Sequence, residues 1–257
     1  MCSAGQTAAI MPGMARHDSD REGAIDAVAV TLSATRVGRA LAACVIGIHV
    51  LNLPAVVFRY LWPSRAGEAY ATFFGVSSEG RLPTFYSGVT LLGAAMLLGI
   101  IAAQARRGGD RFWRHWAGLA AIFVLMAADE MLVIHELSIG PMRRLFGITS
   151  GPLLFAWVIP ALAFVAGVGA VYLRFVIALP ARSRSLIVLA GLVYVGGALG
   201  LELASGLYVS ARGQDLGYGV LSSIEEVAEM TGIAVLLYAL VDYLARDCPQ
   251  VRVTFRH

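Results

Sequence analysis

Six stretches of about twenty or more mostly apolar residues dominate this chain, and each is long enough to cross roughly 30 Å of hydrocarbon as a helix. They run approximately 37–61, 83–105, 113–138, 152–176, 185–210 and 220–245. No water is available inside a bilayer to satisfy peptide groups, so a spanning segment must close its own hydrogen bonds, and a helix does this within one stretch of chain. The expected fold is all-α: a polytopic integral membrane protein built as a six-transmembrane-helix bundle. Composition agrees, because 14% of the 257 residues are charged and 58% are hydrophobic, whereas soluble domains carry about 25% charged residues.

The arginines set the expected orientation. Arg16, Arg21, Arg36, Arg39, Arg106, Arg107, Arg111, Arg114, Arg174, Arg182, Arg184, Arg246, Arg252 and Arg256 fall on one side of the predicted spans. Only Arg59, Arg65, Arg81, Arg143, Arg144 and Arg212 fall on the other. Positive charge accumulates on the cytoplasmic side, so both termini are expected there, and the expected location is the inner (plasma) membrane of a bacterium. Residues 1–36 form a polar tail, expected to be poorly ordered, without the early apolar core of a cleavable signal peptide, and 246–257 form a second tail. Met11 and Met14 are alternative start positions. The 62–82 connection, with Trp62, Pro63 and Pro83, has room for a short interfacial helix.

Cys2, Cys44 and Cys248 have neither metal-ligand spacing nor a disulfide framework. No basic block interleaves with aromatics, so nucleic acid is not an expected partner; membrane lipids are. Ser-His-Asp spacing, a nucleophile elbow, a P-loop and a dinucleotide fingerprint are all missing from the sequence.

Against this apolar background, ionisable residues inside the spans carry the information. Asp129, Glu130, His135 and Glu136 lie in the third, Glu202 in the fifth, and Glu225, Glu226 and Glu229 in the sixth. Each costs roughly 2.5 kcal/mol or more in the hydrocarbon layer unless paired, solvated or bound to a cation. Ending the third helix before Asp129 would leave Trp116 to Ala128, too short to cross. With a rise of about 1.5 Å per residue, Asp129 lies roughly 13 Å and Glu136 roughly 3 Å below the outer end of the third span. Glu202 lies roughly 12 Å down the fifth span, and Glu225 to Glu229 occupy roughly 7–14 Å of the sixth. Three helices thus bring their acids to one layer in the outer half of the membrane. Facing agrees, since Asp129 and Glu136 fall within about 20° of each other and Glu225 stacks on Glu229 at i,i+4. An inverted repeat of three plus three spans would send one acid set to the inner half, which argues against that transporter architecture.

So many carboxylates in one pocket require protonation or a bound cation. Carboxylates with imidazole suit iron, manganese or zinc. The expected metal ligands are Asp129, Glu130, His135, Glu136, Glu202 and Glu229, with His49 of the first span as a further candidate that shares a face with Asn52. Glu225 and Glu226 are the expected catalytic acid–base groups. In ligand type the set is like the carboxylate-rich di-iron sites of helical bundles, but Glu226-x-x-Glu229 has the Glu-x-x-His spacing without the histidine. A structural alternative exists for the sixth span, because Ser222 with Glu225 and Ser223 with Glu226 match capping boxes. His115, Asp242 and Tyr243 read as interfacial residues, and Gly196 with Gly200 as a small-xxx-small pair.

The expected function is a membrane metalloprotein, with one or two divalent ions, acting on a lipid or quinone-like substrate by oxidative or hydrolytic chemistry. A proton or cation path through the same acids, and an accessory subunit of a larger membrane complex, are the alternatives.

Overall fold

The computed structural model describes residues 33–76 and 81–247. Most of both expected tails, with Cys2, His17, Cys248 and His257, lies outside the described residues. Among the described residues all regular structure is helical: α1 (Ala34–Tyr60), α2 (Arg65–Phe74), α3 (Arg81–Arg107), α4 (Trp113–Leu132), α5 (Ile139–Phe146), α6 (Val158–Ala178), α7 (Ala181–Val195), α8 (Glu202–Arg212) and α9 (Leu216–Asp247). A 3-10 turn, His135–Ser138, precedes α5, and a π-helical segment, Gly196–Leu201, joins α7 to α8. Six helices are long and apolar enough to cross a membrane: α1, α3, α4, α6, the continuous rod of α7, π segment and α8, and α9.

Local chemistry explains where these helices begin. Ser64 accepts the amide of Gly67 and starts α2, the short helix for which the 62–82 connection has room. Tyr70 of α2 then donates to the Leu51 carbonyl, and its ring meets Phe58 edge-on at 5.7 Å, folding α2 back on α1. Asp215 accepts the amides of Gly217 and Tyr218 and so starts α9. The Tyr208 hydroxyl and these two amides hold the Asp215 carboxyl below its usual range. Because α9 starts at Leu216, Ser222 and Ser223 lie inside the helix and cap nothing; the capping-box reading of Glu225 and Glu226 is corrected. Pro160 stands in the first turn of α6, where a missing N–H costs no helical bond.

The hub of the molecule is α9, which packs against α1, α3, α7 and α8. On its C-terminal half Ile233, Leu236, Leu237, Leu240 and Val241 join Leu91, Leu98 and Ile101 of α3 in one buried apolar core. That core lies directly beyond Glu229 along α9. Asn52 ties α1 to this hub: its Nδ2 donates to Ser223 Oγ at 2.8 Å, while its Oδ1 accepts the Val76 amide at 3.1 Å. At the other end Asp242, itself buried, accepts from Arg182 Nε at 2.8 Å and Arg246 Nε at 2.9 Å. Asp242 is thus an interhelical clamp. His115 stacks on Phe175 at 5.4 Å, and Tyr243 packs against Trp116.

Helix ends differ from the sequence-based spans most at the end of α4 and the start of α6, by six residues each. The apolar run suggests a helix to 138, but α4 stops at Leu132. Val133 turns into the left-handed region, at φ 54° and ψ 41°, and donates its amide to the Asp129 carbonyl at 2.7 Å. A β-branched residue adopts that conformation only at a cost of about 1–2 kcal/mol. Compensation comes from Asp129, whose side chain receives the next available amide, that of His135.

Candidate functional site

The break after α4 organises the polar residues. Asp129 uses both carboxylate oxygens on one partner: Oδ1 accepts the backbone amide of His135 at 2.7 Å, and Oδ2 accepts its ring Nδ1–H at 3.0 Å. This orients the imidazole through its Nδ1. The His135 ring packs on Trp157 at 4.7 Å, inclined by 55°. Trp157 in turn donates its indole N–H to Glu202 Oε1 at 2.8 Å. The Glu202 and Glu225 carboxyl groups are in hydrogen-bonding contact, and the fully buried Ser205 faces Glu225. Two carboxyl groups can hydrogen-bond only by sharing a proton. A connected series therefore runs from Asp129 through His135, Trp157 and Glu202 to Glu225.

A second group adjoins it. The dominant electrostatic neighbours of Glu229 are Glu226, Glu225, Glu130 and Glu202, four carboxylates from three helices. Tyr194 of α7 faces the same group, interacting with Glu229, Glu130, Glu226 and Asp129. Glu136 stands apart from this interior: it is exposed, on the 3-10 turn, and reaches Glu202 only electrostatically. The facing argument for Asp129 and Glu136 presumed an unbroken helix, and the break replaces it. His135, rather than Glu136, meets Asp129.

Backbone proximity makes this convergence possible. The π segment is rich in small residues, and a Cβ on Gly197 would stand 2.9 Å from the Ala228 Cβ and 3.2 Å from both the Glu225 carbonyl oxygen and the Glu229 nitrogen. Gly232, one turn further along α9, lies against Tyr194 equally tightly. Gly196 and Gly200, the pair that stands out in the sequence, face open space. The wide turn of a π segment also shifts the face on which α8 begins, and Glu202 is its first residue.

Among the described residues no three His, Cys, Asp or Glu side chains stand in a ready-made metal-ligand arrangement. His49 does not join the acids: it lines a separate groove with Val45, Ile46, Val50, Leu53 and Val227. Three contributors carried no signal as sequence. Trp157 reads as an aromatic at a span's end, Tyr194 as an apolar-run residue, and Ser205 as a helix hydroxyl, and only their partners in space give them a role.

Residues 38–243 match a family described as a domain of unknown function (DUF8692). The chain belongs to that family. The matched region takes in all six long helices almost entirely and every residue of the acid cluster. No curated protein and no solved structure matches the DUF8692 chain.

Proposed function

We propose that this protein is a multi-pass membrane enzyme with both termini in the cytoplasm, and that its acid pocket binds a divalent cation for chemistry on a lipid or other membrane-soluble substrate. The observation that carries the reading is the surroundings of Glu229, whose four dominant electrostatic neighbours are all carboxylates. A shared divalent ion, like protonation, neutralises a group of this kind in a low-dielectric layer. Glu130, Glu202, Glu226 and Glu229 would hold the ion, which would supply a Lewis-acid or redox centre. His135, oriented by Asp129, supplies the imidazole or serves as proton carrier, and Glu225 exchanges its shared proton with Glu202. Iron, manganese and zinc all suit such a donor set.

The buried apolar core beyond Glu229 supports a blind pocket over a conduit, because a proton or cation path would have to continue through Ile233, Leu236, Leu237 and Leu240. The distribution of arginines supports placing the pocket in the outer half of the bilayer. Metal analysis of the detergent-purified protein tests the proposal. One or two equivalents of a transition metal are expected in the wild type, falling below about a tenth of that in Glu229→Gln and Glu202→Gln variants that remain monodisperse. Metal-free wild-type protein that takes up no ion from iron, manganese or zinc salts overturns it.

A further inference from the structure

The turn that joins α3 to α4 is short and its backbone is well tied down. The amides of Gly108 and Asp110 reach the Gln104 and Ala105 carbonyls at 2.9 and 2.8 Å. Asp110 Oδ1 accepts the Phe112 amide at 2.9 Å, and Gly109 makes the turn at φ 70°. Four exposed arginines surround it: Arg106 and Arg107 in the last turn of α3, Arg111 in the turn and Arg114 in the first turn of α4. In sequence Gly108, Gly109 and Asp110 split these arginines into two pairs, and the fold brings them back together around two aromatic rings.

Those rings hold three of the guanidinium groups. Arg106 and Arg114 share one indole, with Cζ at 5.1 and 5.4 Å from the Trp113 ring centre. Arg111 Cζ lies 4.6 Å from the Phe112 ring centre. Attraction to a ring face consumes no hydrogen bond, so each guanidinium is positioned while its N–H donors stay available. Among the described residues none of the four arginines pairs with a carboxylate. Arg182 and Arg246, at the same end of the bundle, behave differently, because both bond to Asp242. The 5.2 Å contact of Trp116 with Tyr243 places the α3–α4 turn at that end.

Position along the helices narrows what can meet these donors. Both α3 and α4 are long and apolar enough to cross a membrane, and the four arginines stand where their apolar runs stop. Lipid phosphates occupy that level, just outside roughly 30 Å of hydrocarbon. A phosphate diester matches the planar guanidinium fork with two parallel hydrogen bonds. Four positive charges face the single carboxylate of Asp110, which favours a lipid of net negative charge over one that carries its own ammonium group.

We infer that the α3–α4 turn is a binding site for the headgroup of one anionic phospholipid, its phosphate held by Arg106 and Arg114 beside Trp113. Arg107 and Arg111 add to the field around it. Asp129 lies about 24 Å further along α4, so the site is separate from the acid pocket and does not depend on a metal there.

Native mass spectrometry of the full chain in detergent, titrated with dioleoylphosphatidylglycerol or dioleoylphosphatidylcholine, counts bound lipids and gives the affinity of the first. The phosphatidylglycerol is expected to bind about ten-fold more tightly or better. One arginine near an anionic headgroup is worth about five-fold, so Arg106→Gln combined with Arg114→Gln should weaken the first phosphatidylglycerol about thirty-fold. Arg144→Gln combined with Arg212→Gln removes as much charge from exposed positions on α5 and α8 and should leave that affinity unchanged. Trp113→Leu keeps every charge and should still weaken binding about five-fold, whereas Trp113→Phe should retain it. Equal affinity for the two lipids, a preference that survives the loss of Arg106 and Arg114, or an equal loss in the Arg144 and Arg212 variant overturns the inference. Full affinity in Trp113→Leu, or displacement of the lipid by equimolar inorganic phosphate, overturns it as well.

Discussion

Replacing Gly232 by alanine should destabilise the protein, while the same replacement at Gly200 should stabilise it. A Cβ on Gly232 would stand 2.7 Å from the Cβ of Tyr194, 2.8 Å from its backbone nitrogen and 2.9 Å from its Cα. Ordinary carbon contacts are about 3.5–4.0 Å, so α7 and α9 must separate by about 0.7 Å. Backbone atoms cannot rotate away as a side-chain tip would. Overpacking of this kind costs about 1–3 kcal/mol, and the upper part of that range applies. The better helix propensity of alanine returns about 1 kcal/mol, leaving a net loss of about 1–2 kcal/mol. At Gly200 nothing stands within 4 Å, so only the gain of about 0.5–1 kcal/mol operates. The two variants should therefore differ by about 1.5–3 kcal/mol, or about 3–12 °C in thermal midpoint for a chain of this size. Size-exclusion chromatography of detergent-solubilised protein after graded heating measures this directly. Shifts of the same sign and size would show that α7 and α9 do not touch at Gly232, and the account of how Glu202 reaches Glu225 would fall with them. Metal content supplies a second readout, because Gly232→Ala should release the ion without touching any acid.

Other expectations concern the frame around the pocket. Asn52→Ala removes two hydrogen bonds and strands the buried Val76 amide, so it should cost about 2–4 kcal/mol; a loss below about 0.5 kcal/mol in the same thermal assay would contradict the role of Asn52 as the tie between α1 and α9. Val133→Gly removes the Cβ from a left-handed residue and should raise stability by up to about 1 kcal/mol; a clear loss would mean that α4 continues past Leu132 in solution.

How much of this is legible without coordinates depends on which physical force leaves a mark in one dimension. Hydrophobic transfer does, because a residue's apolarity is independent of its neighbours, and the six long helices follow from it with ends shifted by a few residues. Helix rise is equally portable, so the common depth of Glu202, Glu225 and Glu229 could be worked out from numbering. Azimuth could not. It depends on where each helix stops and whether its turns stay at 3.6 residues, and two local events alter both. Asp129 captures the His135 amide and ends α4 within what reads as a continuous apolar run, and the π segment before Glu202 widens a turn among small residues. Both were invisible for the same reason: each is a competition between backbone hydrogen-bond partners that differ by about a kilocalorie per mole, far below what a hydropathy pattern resolves.

The same reasoning explains why acids were found and their donors missed. An aspartate or glutamate in a span announces itself by its cost, whereas the groups that offset the cost are disguised as apolar residues. Trp157 links two of the pocket's ionisable groups, since its N–H holds Glu202 while its ring packs on His135. It stands at the start of α6, where a tryptophan is ordinarily assigned to the membrane interface. In a membrane protein an aromatic belt residue one turn from a buried acid is thus worth testing as that acid's donor before it is assigned to lipid. His49 gives the converse case, for it is an ionisable residue inside a span that lines a groove of its own. Depth groups residues into layers; only the direction of each side chain divides a layer into sites.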